Sequence, residues 1–234
     1  MNAIIAKLDT HTHRSIMLNI LLKISSDPLL ARNLVFKWGT ALYFMYQLPR
    51  FSTDLDFDLV DTHLETEILD AIHGILKLYW EVKDLRIKRH TLFALLSYGN
   101  IDHNIKIEIN RRWVTWWYSF KNFLWIQLNI MNIEDMCANK LLALTSRNKI
   151  ANRDIFDIHF ILSHSMKINE KFIIEKTWKS LSEYASECIV FLQNLPKNHS
   201  ILEGLWEVLD EKQKIFVKNN LVQETIFLLH SLVD

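Results

Sequence analysis

The stretch that most constrains this chain is Asn104–Asn110, where Ile105, Ile107 and Ile109 alternate with Lys106, Glu108 and Asn110. A two-residue period puts successive side chains on opposite faces of a strand, so one face here is wholly β-branched and the other polar. Such a strand belongs in a sheet with one covered side. A second stretch alternates the same way, with Asp54, Asp56 and Asp58 against Leu55, Phe57 and Leu59. Carboxylates about 7 Å apart on one strand repel one another. A bound cation or open water accommodates them, and the alternation alone leaves both readings open. The plainer one is an amphipathic edge strand with a solvated acidic face.

Around these strands the sequence predicts a mixed order of elements. A helix is expected over residues 10–25, capped by Thr10 or Thr12, with Met17, Leu21 and Leu22 on its core face and Asp27-Pro28 breaking it. A short buried strand at Leu34-Val35-Phe36 leads to a turn at Trp38-Gly39 and a helix over 40–48, ended by Pro49. The acidic strand, 54–60, follows. A helical stripe of Leu64, Ile68, Ile72, Ile75 and Leu76 then marks residues 63–79. Strands are expected at 80–89, 91–98 and 104–110. A tryptophan-dense stretch follows, with Trp113, Trp116, Trp117 and Trp125. Such residues can stack on bases, although filling a core or an interface is their commoner use. From Ile133 onward only helical periodicity is present, near 133–146, 152–165, 169–181, 183–194, 199–211 and 213–231. The expected organisation is an α/β unit over 1–132 and a helical unit over 133–234.

Composition agrees with this division. The 234 residues contain only four glycines and three prolines, which favours long helices over a turn-rich all-β fold. Half of the residues are hydrophobic and 23% are charged, the balance of a globular chain with an ample core. No apolar run reaches membrane-spanning length, and the opening Met1–Lys7 lacks a secretory h-region, so a cytoplasmic protein is expected. Cys137 and Cys188 lack metal or redox spacing and read as buried thiols in a reducing compartment. The net charge is zero, yet residues 80–153 carry 12 Lys+Arg against 6 Asp+Glu, a local +6. That excess permits a nucleic-acid or nucleotide partner on one face. The histidines add no zinc-site spacing, and no P-loop or Rossmann fingerprint is present.

Two helical constellations stand near the junction. Lys140, Ala143, Leu144 and Arg147 lie within one helix face, where the two cations can reach phosphates or simply snorkel at the rim of an apolar stripe. Arg153 and Asp157, four apart, read on their own as a surface ion pair, and Asp154 as first-turn charge at a helix N-terminus.

Taken together these patches resemble a known family. Gly39-Thr40-Ala41-Leu42 followed by Arg50-Phe51-Ser52-Thr53-Asp54-Leu55-Asp56-Phe57 resembles the G-G-T-A-L … R-x-S-x-D-[IL]-D-F signature of the AbiEii/AbiGii-type nucleotidyltransferase toxins. Those toxins are part of the DNA-polymerase-β-like superfamily. Lys106-Ile107-Glu108-Ile109 is similar to the family's second motif, a strand carrying a single acid. Lys140 to Arg147 fits K-x-x-A-L-x-x-R, and Arg153 to Ile158 fits R-D-x-x-D-[LI]. All four occur in family order.

The resemblance implies an α+β fold, a polymerase-β-like core of mixed sheet and helices followed by a C-terminal helical bundle. It implies a magnesium-dependent enzyme, with Mn2+ as the substitute, that moves a nucleoside monophosphate from a nucleoside triphosphate to RNA, with the tRNA 3′ end as the candidate acceptor. Its biological role would be the toxin of a toxin–antitoxin or phage-defence pair, with a cognate antitoxin as partner and no membrane association. Asp54 and Asp56 would be the metal ligands and Glu108 the third acid, which activates the attacking hydroxyl or holds a second metal. Lys140 would contact the triphosphate, and Asp157 would orient Lys140 or contact the nucleotide. Gly39 and Thr40 would let backbone and hydroxyl donors approach phosphate, Arg50 and Ser52 would brace the loop ahead of the metal strand, and Arg147 and Arg153 complete the nucleotide-binding set. The five catalytic candidates, Asp54, Asp56, Glu108, Lys140 and Asp157, would converge on one cleft, and Asp58 has no motif role. One position departs from the pattern. Trp38 stands where the family has its first glycine, and a tryptophan takes a positive φ only under strain. That departure favours the alternative of an inactive member that acts as a partner-binding module; a separate alternative keeps the enzyme and changes the acceptor to a protein.

Overall fold

The computed structural model describes residues 9–98, 103–112, 117–147, 149–196 and 198–233. Trp113 and Trp116 lie outside them. The chain divides into a sheet unit, Met1–Met131, and a helical unit, Asn132–Asp234.

In the sheet unit, α1 (Thr10–Ser26) is capped by Asp9, whose carboxylate accepts from the amides of His11 and Thr12, rather than by Thr10 or Thr12. Asp27 ends α1 and caps a further short helix, α2 (Pro28–Asn33), with proline at its first position, where the chain was expected only to break. β1 (Leu34–Lys37) runs directly into α3 (Trp38–Tyr46), and Gln47 in the left-handed region stops that helix before Pro49 is reached. Then come β2 (Leu55–Leu59), α4 (Glu65–Leu76), β3 (Glu81–Ile87), β4 (Thr91–Tyr98) and β5 (His103–Asn110). The tryptophan-dense region closes with a hairpin of β6 (Tyr118–Phe123) and β7 (Ile126–Met131), two strands beyond those expected from the sequence.

The seven strands form one mixed sheet in the order β3-β4-β5-β2-β1-β7-β6. β2 is antiparallel to β1 and parallel to β5, and β1 is parallel to β7. The apolar faces fill the core: Phe36, Leu55, Phe57, Ile105, Ile107, Ile109 and Ile130 are all buried, with Met17, Ile20, Leu21, Ile68, Ile72 and Leu76 from α1 and α4. β6 lies at the sheet edge and leaves Tyr118 and Phe120 exposed, as are Trp117 and Trp125.

The helical unit contains α5 (Ile133–Ser146), α6 (Asn152–Ser163), α7 (Glu170–Thr177), α8 (Leu181–Gln193), α9 (Glu211–Asn219) and α10 (Leu221–His230). α8 and α9 each begin with a capping box, Ser180 with Glu183 and Asp210 with Gln213. The helix expected over 199–211 is replaced by turns and a 3-10 segment at Trp206–Val208, and the one expected over 213–231 divides at Asn219-Asn220. Cys137 and Cys188 are both buried thiols, and burial, with neighbouring glutamates, pushes each up to about 12.

Candidate active site

Strand pairing brings the acids of the sheet unit together. Asp56 on β2 lies opposite Glu108 on β5 in parallel register, and Asp54 precedes β2 by one residue. On the other side of β2, Lys37 lies opposite Asp56. Directly paired residues share a sheet face, so Lys37, Asp56 and Glu108 all project one way. The Lys106 ammonium also reaches this group, 3.2 Å from Asp54 Oδ2 and 3.7 Å from Glu108 Oε2.

The electrostatics follow from the packing. Burial, then the neighbouring Asp54 charge, raises the Asp56 carboxyl to about 6; Lys37 and Lys106 oppose this rise, and Glu108 adds to it. Burial pulls the Lys106 ammonium down, but the charges of Asp54, Glu108 and Asp56 outweigh it, and the net shift is upward. Both directions describe carboxylates held close enough that a cation is favoured among them.

Asp58 departs from the solvated-face reading. It is fully buried, and its Oδ1 accepts from Lys37 Nζ at 2.5 Å and from Asn110 Nδ2 at 2.7 Å. The third acid of the alternation is thus neutralised inside the protein, while Asp54 and Asp56 keep only partial exposure.

The segment ahead of β2 is held from below. Thr40 Oγ1 donates to the Asp54 carbonyl oxygen, which uses its single proton. The Ser52 hydroxyl then donates to Thr40 Oγ1 at 2.7 Å. Arg50 is buried and donates to the Phe51 carbonyl at 3.2 Å. A Cβ on Gly39 would stand 2.8 Å from Arg50 Nη2 and 3.3 Å from Ser52 Oγ, so a side chain here would push the buried Arg50 guanidinium aside. Thr40, expected to offer its hydroxyl to phosphate, is buried with that hydroxyl committed to the loop. Trp38 takes φ +63, the left-handed conformation that glycine adopts without strain. Its ring is covered by the Lys37 ammonium at 4.1 Å, and its buried indole N–H has no hydrogen-bond partner among the described residues.

Sequence reasoning missed His13. It is buried in α1, with Nε2 2.9 Å from the Thr53 carbonyl and Nδ1 2.5 Å from the Tyr98 hydroxyl. A carbonyl only accepts, so Nε2 carries the proton and Nδ1 accepts from Tyr98. Burial, then the Asp9 charge, pushes the Tyr98 phenol up to about 12, keeping it a donor. The signal was only a histidine on the buried face of a helix, with nothing local to name its partner 40 residues away.

In the helical unit, Lys140 on α5 is buried and lies 2.9 Å from Asp154 Oδ1 and 2.7 Å from Asp157 Oδ2, both on α6. Arg147 Nε, just past α5, stands 2.8 Å from Asp154 Oδ2. The snorkelling reading of Lys140 and the surface-pair reading of Asp157 give way to a buried cluster, while Asp154 does lie in the first turn of α6, as expected, and also joins that cluster. Arg153 is exposed. α6 is fixed at its start by Asn152, whose amide donates to the carbonyls of Ser200 and Glu203.

The acids of the sheet unit suit a divalent cation by donor chemistry. They offer only hard carboxylate oxygens, and a cation, the Lys106 ammonium, already stands among them. Among the described residues, no three His, Cys, Asp or Glu side chains are already drawn into a metal cage.

A mixed sheet bearing acids on two neighbouring strands, followed by helices, is here the fold of a nucleotidyltransferase. Solved structures with this fold include the following two. One is JHP933 from Helicobacter pylori, with a TM-score of 0.62 and 20% identity over 97% of this chain and 94% of that one. The other is the nucleotidyltransferase toxin MenT4 from Mycobacterium tuberculosis, with a TM-score of 0.60 and 18% identity over 97% and 94%. The sequence matches the family described as nucleotidyl transferase AbiEii toxin, type IV toxin–antitoxin system, over residues 20–212. The chain belongs to that family and is a nucleotidyltransferase. No curated protein matches it in sequence. Among the described residues no helix is long and apolar enough to cross a membrane.

Proposed function

We propose that this enzyme transfers a nucleoside monophosphate from a nucleoside triphosphate to an RNA hydroxyl, at the 3′ end of tRNA, as the magnesium-dependent toxin of a toxin–antitoxin or phage-defence pair. The observation that carries this reading is the register of Asp56 against Glu108, with Asp54 beside them. Asp54 and Asp56 would hold Mg2+ or Mn2+, which supplies charge neutralisation to the triphosphate. Glu108 takes the proton of the attacking hydroxyl. The hydroxyl oxygen bonds to the α-phosphorus, the α–β phosphoanhydride bond breaks, and pyrophosphate leaves. Lys140 offsets the charge on the leaving pyrophosphate, and Asp154 and Asp157 hold that ammonium in place. Gly39 keeps the loop close, Thr40, Arg50 and Ser52 brace it, and Arg147 and Arg153 serve the nucleotide. An RNA acceptor is supported by Lys88 and Arg89 at the β3–β4 turn, beside Arg111 and Arg112, where the Arg111 amide bonds to the His90 carbonyl at 3.0 Å.

Incubation with each of the four α-labelled nucleotides and total tRNA should give magnesium-dependent label on RNA, and Asp56→Ala should reduce it by at least about 1,000-fold. Label on protein instead of RNA would replace the acceptor. Absence of transfer with all four nucleotides from folded protein would remove the catalytic assignment.

A further inference from the structure

Two lysines face the acids, and they are held differently. Lys37 is 3% exposed and locked on Asp58 at 2.5 Å. Lys106 is 35% exposed and is shared between Asp54, just ahead of β2, and Glu108 on its own strand, at 3.2 and 3.7 Å. The first is a fixed part of the fold. The second is a flexible four-carbon tether whose charged end rests between two carboxylates at the surface.

A divalent cation taken up by Asp54 and Asp56 would bind at about 2.0–2.6 Å from their oxygens. An ammonium 3.2 Å from Asp54 Oδ2 would then face a double positive charge at close range. The carboxylate has two oxygens, but a metal on one and an ammonium on the other repel each other at short range, so the two cations compete for Asp54. We propose that Lys106 is a tethered counter-cation that holds Asp54 and Glu108 in the metal-free enzyme and is displaced when the divalent cation enters. This rests on the reading of Asp54 and Asp56 as metal ligands. It also accounts for the lack of a ready-made three-carboxylate cage among the described residues, because the acids are arranged around an ammonium instead. The consequence is a raised threshold: metal has to compete with a charge that the chain supplies itself.

The test is Mn2+ affinity, read from the free-ion EPR signal, without nucleotide or RNA. Lys106→Gln should bind Mn2+ about 10-fold more tightly than wild type, and Lys106→Arg, which keeps the charge, should stay within about 3-fold of it. Adding Asp56→Asn should remove the binding in either background. Unchanged or weaker binding by Lys106→Gln would overturn the proposal and leave the metal reading standing. No binding by either wild type or Lys106→Gln, or binding that Asp56→Asn leaves intact, would overturn the metal reading and this proposal with it. Should Lys106→Gln fail to fold, the wild-type protein supplies the measurement. In 15N-lysine-labelled enzyme the Lys106 Nζ resonance should move toward the position of exposed lysines as Mg2+ is added. A resonance that stays fixed while Mg2+ binds would overturn the displacement.

Discussion

At the scale of single residues, the three alternating aspartates are not equivalent, and their differences predict opposite effects on stability. Asp58 is buried against Lys37 and Asn110. Asp58→Ala removes the carboxylate and leaves the Lys37 charge in a buried place, which should destabilise the protein by about 3–5 kcal/mol in denaturant titrations. Asp56 behaves the other way. Its carboxyl is raised to about 6, above the unfolded value near 3.8, so the fold holds the neutral form more tightly than the unfolded chain does. Stability therefore falls as pH rises from about 4 to about 6, and the penalty is complete above that. Asp56→Asn should raise the melting temperature of metal-free protein by a few degrees at pH 7.5 and change it little near pH 4. An equal shift at both pH values would contradict the stated cause. The alternation made all three acids visible but could not rank them. The ranking depends on Lys37 and Asn110, which only strand pairing brings to Asp58.

At the scale of elements, the informative junction is β1 to α3. Trp38 begins the helix at φ +63, where a side chain is strained by about 1–2 kcal/mol. Trp38→Gly and Trp38→Ala lose the same indole, so comparing them isolates the backbone. Inside an ordinary helix alanine is favoured over glycine by about 1 kcal/mol. Here the order should reverse, with Trp38→Gly melting above Trp38→Ala. The glycine position of the family signature is thus readable twice, once as a motif with a missing letter and once as a backbone that keeps the glycine conformation. Other elements were legible for simpler reasons. β5 was written in three alternating isoleucines, and α5 to α8 in their periodicity, whereas past residue 198 the same period misplaced the helices. The β6–β7 hairpin was not, because its turn is made by Leu124 at φ +54 rather than by glycine or asparagine. α2 was hidden because Asp27-Pro28 looks like a break, whereas it is also a cap followed by a first-position proline. The sheet acids and Lys140 were found as motifs, while the partnership of Lys140 with Asp154 depends on the packing of α5 against α6.

At the scale of the whole molecule, the candidate site residues are divided between two compact units: the acids lie in Met1–Met131, and Lys140 with its two aspartates in Asn132–Asp234. We propose that the helical unit is an independent folding unit. Expressed alone, residues 132–234 should show a helical circular dichroism spectrum and a cooperative melt. Asp157→Asn should lower that melting temperature by several degrees, because it weakens a buried ion pair. A non-cooperative melt would show that the unit depends on the sheet. Both cysteines of the chain belong to this unit, and both are buried with thiols held far from ionisation at neutral pH. The native enzyme should therefore be silent to thiol-specific reagents, and the rate at which it becomes labelled is a clock for the opening of the helical unit. A new cysteine placed anywhere on the surface would be the first to react, so a single dye can be attached without altering either native thiol.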